Sequence, residues 1–167
     1  MTTKGEGTLA GVAGYSETPL LQKLGIGEST RMAVVNAPAD FRASLGELPL
    51  GLEWANRVRP PLDIVIAFHI HRAALVANWP TLTKAVTPDG AVWVSWPKKA
   101  SGVATDINEN VLREEFLKTG WVDNKVCAID ETWSGLRFVL RKDRRPRKQA
   151  AAPRPAKLRK PKPGAHR

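Results

Sequence analysis

Residues 88–102, PDGAVWVSWPKKASG, constrain the chain more than any other stretch. Ala91 to Trp96 is apolar, β-branched and aromatic, too greasy for a wet surface, and it is bounded by the turn signal Asp89-Gly90 and the breaker Pro97. That pattern predicts a strand buried on both faces, as in the middle of a parallel sheet. Polar residues follow at once: Lys98, Lys99, Ser101 and Gly102. In open α/β sheets ligands bind outside the carboxyl ends of the strands, so this exit is the leading candidate site.

The flanking segments repeat the alternation of strand and helix. Residues 1–13 are mostly Gly, Thr and Ala with little to bury and read as a flexible lead-in. In GYSETPLLQKLGI, Thr18 and Pro19 suit a helix start and Gly25 a stop, with Leu20, Leu21 and Leu24 on the buried side; the short helix either plugs an open end of the core or brings Tyr15 and Ser16 to a ligand. Arg31–Asn36 reads as a strand, Pro38–Leu45 as a helix, Leu52–Val58 as a weak strand and Leu62–Phe68 as a strong one. From Arg72 to Val86, Leu75, Trp79, Leu82 and Val86 mark one helical face, and Pro80 predicts a kink or two abutting helices. Asp106 and Glu109 have capping-box spacing ahead of a helix that buries Ile107, Val111, Leu112 and Phe116. Two strand-like runs, 124–130 and 135–141, are joined by so few residues that only a hairpin connects them. The predicted fold is a three-layer α/β domain of Rossmann-like type over residues 14–141, its mostly parallel sheet closed by an antiparallel hairpin.

Charge divides the chain in two. Of its 26 Lys and Arg, 12 lie from Arg141 onward against a single acid, Asp143, leaving 14 basic and 15 acidic residues before that point. The domain is thus close to neutral, and the basic pI describes residues 142–167, a Lys, Arg, Pro and Ala segment with no hydrophobic period. Such a segment is expected to be disordered and to neutralise phosphates without reading bases, through Arg144, Arg145, Arg147, Lys148, Arg154, Lys157, Arg159, Lys160 and Lys162. A purely solubilising extension is the other reading. No apolar run reaches the length of a membrane helix and no signal-peptide pattern opens the chain, so a cytoplasmic location without membrane attachment is expected.

Candidate ligand residues gather at the predicted strand exits. Asn36 follows the first strand, His69 the second strong one, and Lys98, Lys99, Ser101 and Gly102 the third. Lys98 and Lys99 offer positive charge and the loop offers backbone N–H groups, a combination suited to an anion. Trp133 stands in the hairpin beside Asp130, Glu131 and Ser134, more polar decoration than a turn requires; a ligand contact or a cover for the sheet edge explains it. His69 and His71 share the spacing of metal ligands, yet a third ligand is hard to find and no metal is assigned. Cys127, the only cysteine, sits between Val126 and Ala128 and reads as a small core residue. There is no G-x-S-x-G, H-E-x-x-H or P-loop, and no motif specifies a cofactor.

The closing βαβαββ pattern resembles the second half of a class I S-adenosylmethionine-dependent methyltransferase fold. That fold places glycines after its first strand, where this chain reads NAPADF, residues 36–41; Glu53, near the weak strand, would stand in for the acid that binds a ribose. The strings GYSETPLLQKLGI, WPKKASGVATDINENVLRE and DNKVCAIDETWSGLRFV are similar to a bacterial family called domain of unknown function 3052, over about residues 14–141. That resemblance implies a small cytoplasmic bacterial protein and brings no catalytic role to the matching positions. Two functions are expected from these readings: a binding module for an anionic small molecule or nucleotide, with the tail recruiting nucleic acid, or a methyltransferase-like enzyme.

The charge division predicts that a chain ending at Lys142 loses nearly all affinity for duplex DNA that the full chain shows. A gel-shift salt series on unrelated duplexes checks this, with log K falling by about 0.9 per decade of salt for each phosphate neutralised.

Overall fold

The computed structural model describes residues 18–146. The chain enters through α1 (Leu20–Leu24), which Pro19 precedes and Gly25 ends at φ +79°, a left-handed conformation that costs glycine nothing. There follow β1 (Arg31–Val35), the single turn α2 (Phe41–Ser44), β2 (Glu53–Trp54), β3 (Leu62–Phe68), α3 (Arg72–Ala85), β4 (Val86–Pro97), α4 (Glu109–Phe116), β5 (Trp121–Ala128) and β6 (Trp133–Leu140). Short 3-10 turns cover Lys99–Ser101, Leu117–Thr119 and Lys142–Arg144.

The six strands form one sheet in the order β2-β1-β3-β4-β6-β5. The first four are parallel, and β6 runs antiparallel to both β4 and β5. The mostly parallel sheet, the closing hairpin and the helices on both faces are those expected from the sequence.

Period-two alternation sorts the strand side chains between two cores. Met32, Ile64, Ile66, Phe68 and Trp93 face α1 and α2, where they meet Leu24, Ile26 and Phe41. Val65, Ala67, Val92, Val94 and Trp96 face α3 and α4. There the Trp79 ring stacks on Phe116 at 3.9 Å and meets Trp121 and Phe138 edge-on. Burying one Phe or Leu side chain is worth roughly 1.5–3 kcal/mol. An exposed ion pair is worth about 0–1 kcal/mol. The aromatic cluster therefore holds α3 and α4 to the sheet, and the Arg72–Glu115 pair, at 2.6 Å, orients them.

Several boundaries differ from the sequence reading for identifiable reasons. Pro80 lies inside one continuous helix rather than at a junction, and the Thr83 hydroxyl donates to the Trp79 carbonyl just beyond it. Val86, predicted on the buried face of that helix, begins β4 instead. Asp89-Gly90 is not a turn ahead of the strand but a bulge within it: Leu62 pairs with Val86 and Ile64 with Ala91, so β4 carries extra residues between those two pairs. The capping box also resolves differently. Asn108 caps α4 by accepting from the Val111 N–H at 2.9 Å, and the Asp106 carboxylate accepts from the Arg72 N–H at 2.6 Å, capping α3 instead. The fold runs past the predicted boundary at Arg141, through the 3-10 turn Lys142–Arg144 to Pro146.

Gly90 shows how tightly the bulge is packed. A Cβ there would lie 2.7 Å from the Asp63 carbonyl oxygen and 3.1 Å from that of Thr87, both backbone atoms with little room to move. Gly90→Ala is expected to destabilise the domain by roughly 1–3 kcal/mol, read as a lowered urea midpoint with an unchanged slope.

Candidate functional site

The carboxyl edge of the parallel strands gathers most of the predicted ligand residues, in two groups. The first surrounds Phe68, the last residue of β3. Asn36 leaves β1 at φ +57° and donates from Nδ2 to the Phe68 carbonyl at 3.1 Å, bridging the ends of β1 and β3. The Phe68 ring meets Phe41 edge-on at 5.1 Å and Trp133 at 5.0 Å. Trp133 thereby packs on the end of β3, and one of its polar neighbours serves the turn: Asp130 Oδ1 accepts from both the Thr132 and the Trp133 N–H at 2.8 Å.

The second group follows β4. Lys98 donates its N–H to the Thr132 carbonyl at 2.7 Å, fixing the exit of β4 to the hairpin tip. The Ser101 hydroxyl donates to the Lys98 carbonyl at 2.7 Å and accepts from the Val103 N–H, so it builds the loop rather than waiting for a ligand. Beyond it the loop returns over β3: the Thr105 hydroxyl donates to the Ile70 carbonyl at 2.6 Å. Between this loop and the start of α4 opens a cleft of about 710 Å³ lined by Trp96, Lys99, Gly102, Thr105, Asn108 and Glu109, among others. Lys99 and Gly102 of the predicted set line it; Asn36, His69, Lys98, Ser101 and Trp133 do not.

Between the two groups lie two buried polar side chains. His69 donates its backbone N–H to the Ser95 carbonyl at 3.0 Å, while its Nδ1 and the Ser95 Oγ are both buried without a hydrogen-bond partner among the described residues. Burial holds the His69 imidazole below its ordinary pKa of 6.5. Sequence reasoning passed over Ser95, although a hydroxyl inside VWVSWP is a signal in itself: a polar group in an apolar run needs a partner. Thr105 and Asn108 were missed because loop residues carry no period.

Other candidates lie elsewhere. Glu53 pairs with Arg31 at 3.2 Å, and that register, Arg31 opposite Glu53, sets it at the amino edge of β1, away from the strand exits. Cys127 is half-buried on β5, and burial raises its thiol pKa against the opposing pull of Lys23 and Lys125. Among the described residues no three His, Cys, Asp or Glu side chains come together. None of the described helices is long and apolar enough to cross a membrane. Arg144 and Arg145, counted with the tail from sequence, belong to the fold: Arg145 Nε donates to the Leu140 carbonyl at 2.9 Å, and a Cβ at Gly120 would lie 3.1 Å from the Arg144 guanidinium carbon. Tyr15, Ser16, Arg147, Lys148, Arg154, Lys157, Arg159, Lys160 and Lys162 lie outside the described residues.

No family model matches the chain, and no curated protein matches it. Solved structures do resemble it. The DhpI–SAH complex aligns with 13% identity and a TM-score of 0.52, covering 74% of this chain and 81% of DhpI. A SAM-dependent methyltransferase from Aquifex aeolicus aligns with 11% identity and a TM-score of 0.51, covering 71% and 86%. At these identities the likeness defines the fold: a methyltransferase-like α/β sheet. Its side chains do not supply the cradle that such folds use for an adenosyl cofactor. The turn after β1 has no glycine, the Asn36 amide within it is spent on Phe68, and Glu53 is paired at the opposite edge.

His69 gives this edge a pH signature. Well above pH 6.5 its imidazole is neutral whether the chain is folded or not; as pH falls through that value the unfolded chain takes up a proton that the buried ring resists, so its contribution to stability falls as pH falls. His69→Gln removes that loss. The variant's Tm relative to the parent is expected to rise on going from about pH 7.5 to about pH 5.5, and a constant difference contradicts the assignment.

Proposed function

We propose that the protein is a ligand-binding domain that keeps a methyltransferase-type sheet and takes an anionic small molecule or nucleotide at its carboxyl edge. The observation that carries this reading is the position of the 710 Å³ cleft, which opens where β4 ends, with Lys99 on its wall and the start of α4 on the other side. Lys99 supplies the charge that selects an anion. Lys98, by contrast, anchors the loop to the hairpin through its backbone.

The sheet order and the two likenesses with TM-scores above 0.5 favour a second reading more directly than any one residue favours the first: an S-adenosylmethionine-dependent methyltransferase-like enzyme. Its cofactor would have to be held without the glycine cradle.

Thermal-shift measurements with S-adenosylmethionine, its demethylated product, adenine nucleotides and sugar phosphates separate the two. A rise in Tm with a phosphorylated ligand and none with the methyl donor is expected. Lys99→Ala should abolish that rise and leave the unliganded Tm nearly unchanged, because an exposed charge contributes only about 0–1 kcal/mol. A rise with the methyl donor alone reverses the ranking.

A further inference from the structure

On the α1 face of the sheet, one row of cross-strand neighbours reads Trp93 on β4, Arg137 on β6 and Lys125 on β5. Residues paired in this way share a face, and like charges directly opposite repel. Burial decreases outward along the row: Trp93 is fully buried, Arg137 half-buried and Lys125 exposed. An arginine drawn partly out of water is best accommodated where a carboxylate pairs with it. Arg137 has none among the described residues; its Nη1 donates to the neutral Asn124 Oδ1 at 3.2 Å. Neighbouring acids are engaged elsewhere, Asp123 with Arg113 at 3.1 Å and Asp143 with Arg141 at 2.9 Å.

A further cation is held at the end of the same strand. After β6 the 3-10 turn Lys142–Arg144 folds the chain back, and Arg145 is pinned through Nε to the Leu140 carbonyl at 2.9 Å. Burial and, secondly, the charge of Arg145 push the Arg137 guanidinium below its ordinary range, so the two arginines feel each other. Arg145, like Arg137, has no carboxylate partner among the described residues. The fold thus holds like charges together where their counter-ion must come from outside.

We propose that Arg137 and Arg145 form a phosphate-binding site on the folded domain that grips the backbone of a nucleic acid. Arginine forks match phosphate oxygens, and a site of fixed geometry needs no base contact to hold a backbone. The polymer, rather than a single phosphate, is indicated by the sequence that continues from this point: 12 Lys and Arg against one acid from Arg141 onward. This deepens the expectation that the basic segment recruits nucleic acid, by placing part of the binding in the domain itself. It is independent of the Lys99 cleft, which draws on none of these residues.

The test uses the full chain and a mixed-sequence DNA duplex. A polybasic run attracts duplex whether or not the domain is folded, so it cannot raise Tm; a pair of arginines assembled by β6 and the turn after it exists only in the native state and can. Duplex at about a hundred times Kd should raise Tm by about 3 °C or more. Arg137→Gln with Arg145→Gln should abolish that rise and reduce the salt slope of log K by about 1.8. Lys157→Gln with Lys160→Gln removes the same charge from the tail and should keep the rise. Arg145→Gln alone, whose side chain makes one hydrogen bond among the described residues, to Leu140, guards against misfolding of the double variant and should lose most of the rise. Binding without any rise, a rise that survives the Arg137/Arg145 substitution, or a rise lost equally in the tail variant overturns the site. A rise given by inorganic phosphate or anionic vesicles but not by duplex overturns nucleic acid as its ligand.

Discussion

Strand β4 is hydrogen-bonded on both sides, to β3 and to β6, and covered on both faces, so every side chain from Ala91 to Pro97 except the unpartnered Ser95 finds a dry partner. Most do so by being apolar. Trp93 cannot, because its indole N–H left unpaired in the core would cost about 1–3 kcal/mol. It donates instead to the Leu24 carbonyl at 3.0 Å, at the very end of α1. The ring also needs the space beside Gly135, where an added Cβ would approach it to 3.1 Å. One buried indole therefore dictates where the entering helix ends and why the third residue of β6 lacks a side chain.

The same burial sets the character of the edge. Past its buried stretch the chain turns polar, and there the loop from Lys98 to Asn108 is tied back at successive points: to the hairpin through Lys98, to the residues just after β3 through Thr105 and to α3 through Asp106. A loop held this way is a scaffold. Its Lys99 wall is presented by the fold and not by chance exposure.

Much of this was legible in the sequence, because burial writes itself as period. The nearly unbroken apolar runs at 32–35, 62–68 and 91–96 are buried strands, and Leu75, Trp79 and Leu82 are the buried stripe of one helix. Local signals were less reliable where a tertiary contact outbid them. Asp89-Gly90 makes a bulge because β3 lies within touching distance, and Asp106 caps α3 rather than its own helix because the loop brings it there. The candidate site divides in the same way. Its location followed from strand order, whereas the split between Lys99 and Lys98, the bridging role of Asn36 and the unpartnered Ser95 depend on which way side chains turn, and no spacing encodes that. Arg137 was invisible for a related reason: an arginine in a strand looks solvated until its neighbours are known.

The bond between Trp93 and Leu24 has a consequence in time. The two residues are 69 positions apart. At about 5–20 residues per second a ribosome needs roughly 3–14 s to cover that interval. Throughout it the segment that forms the first helix has been made and its last carbonyl is still unclaimed by Trp93. The wait is longer still for Lys125, whose ammonium donates to the Lys23 carbonyl across 102 positions. Nor can β5 dock when it is made, since the sheet order sets β6 between it and β4. The newborn chain thus keeps its entrance and its exit open until both can be closed together.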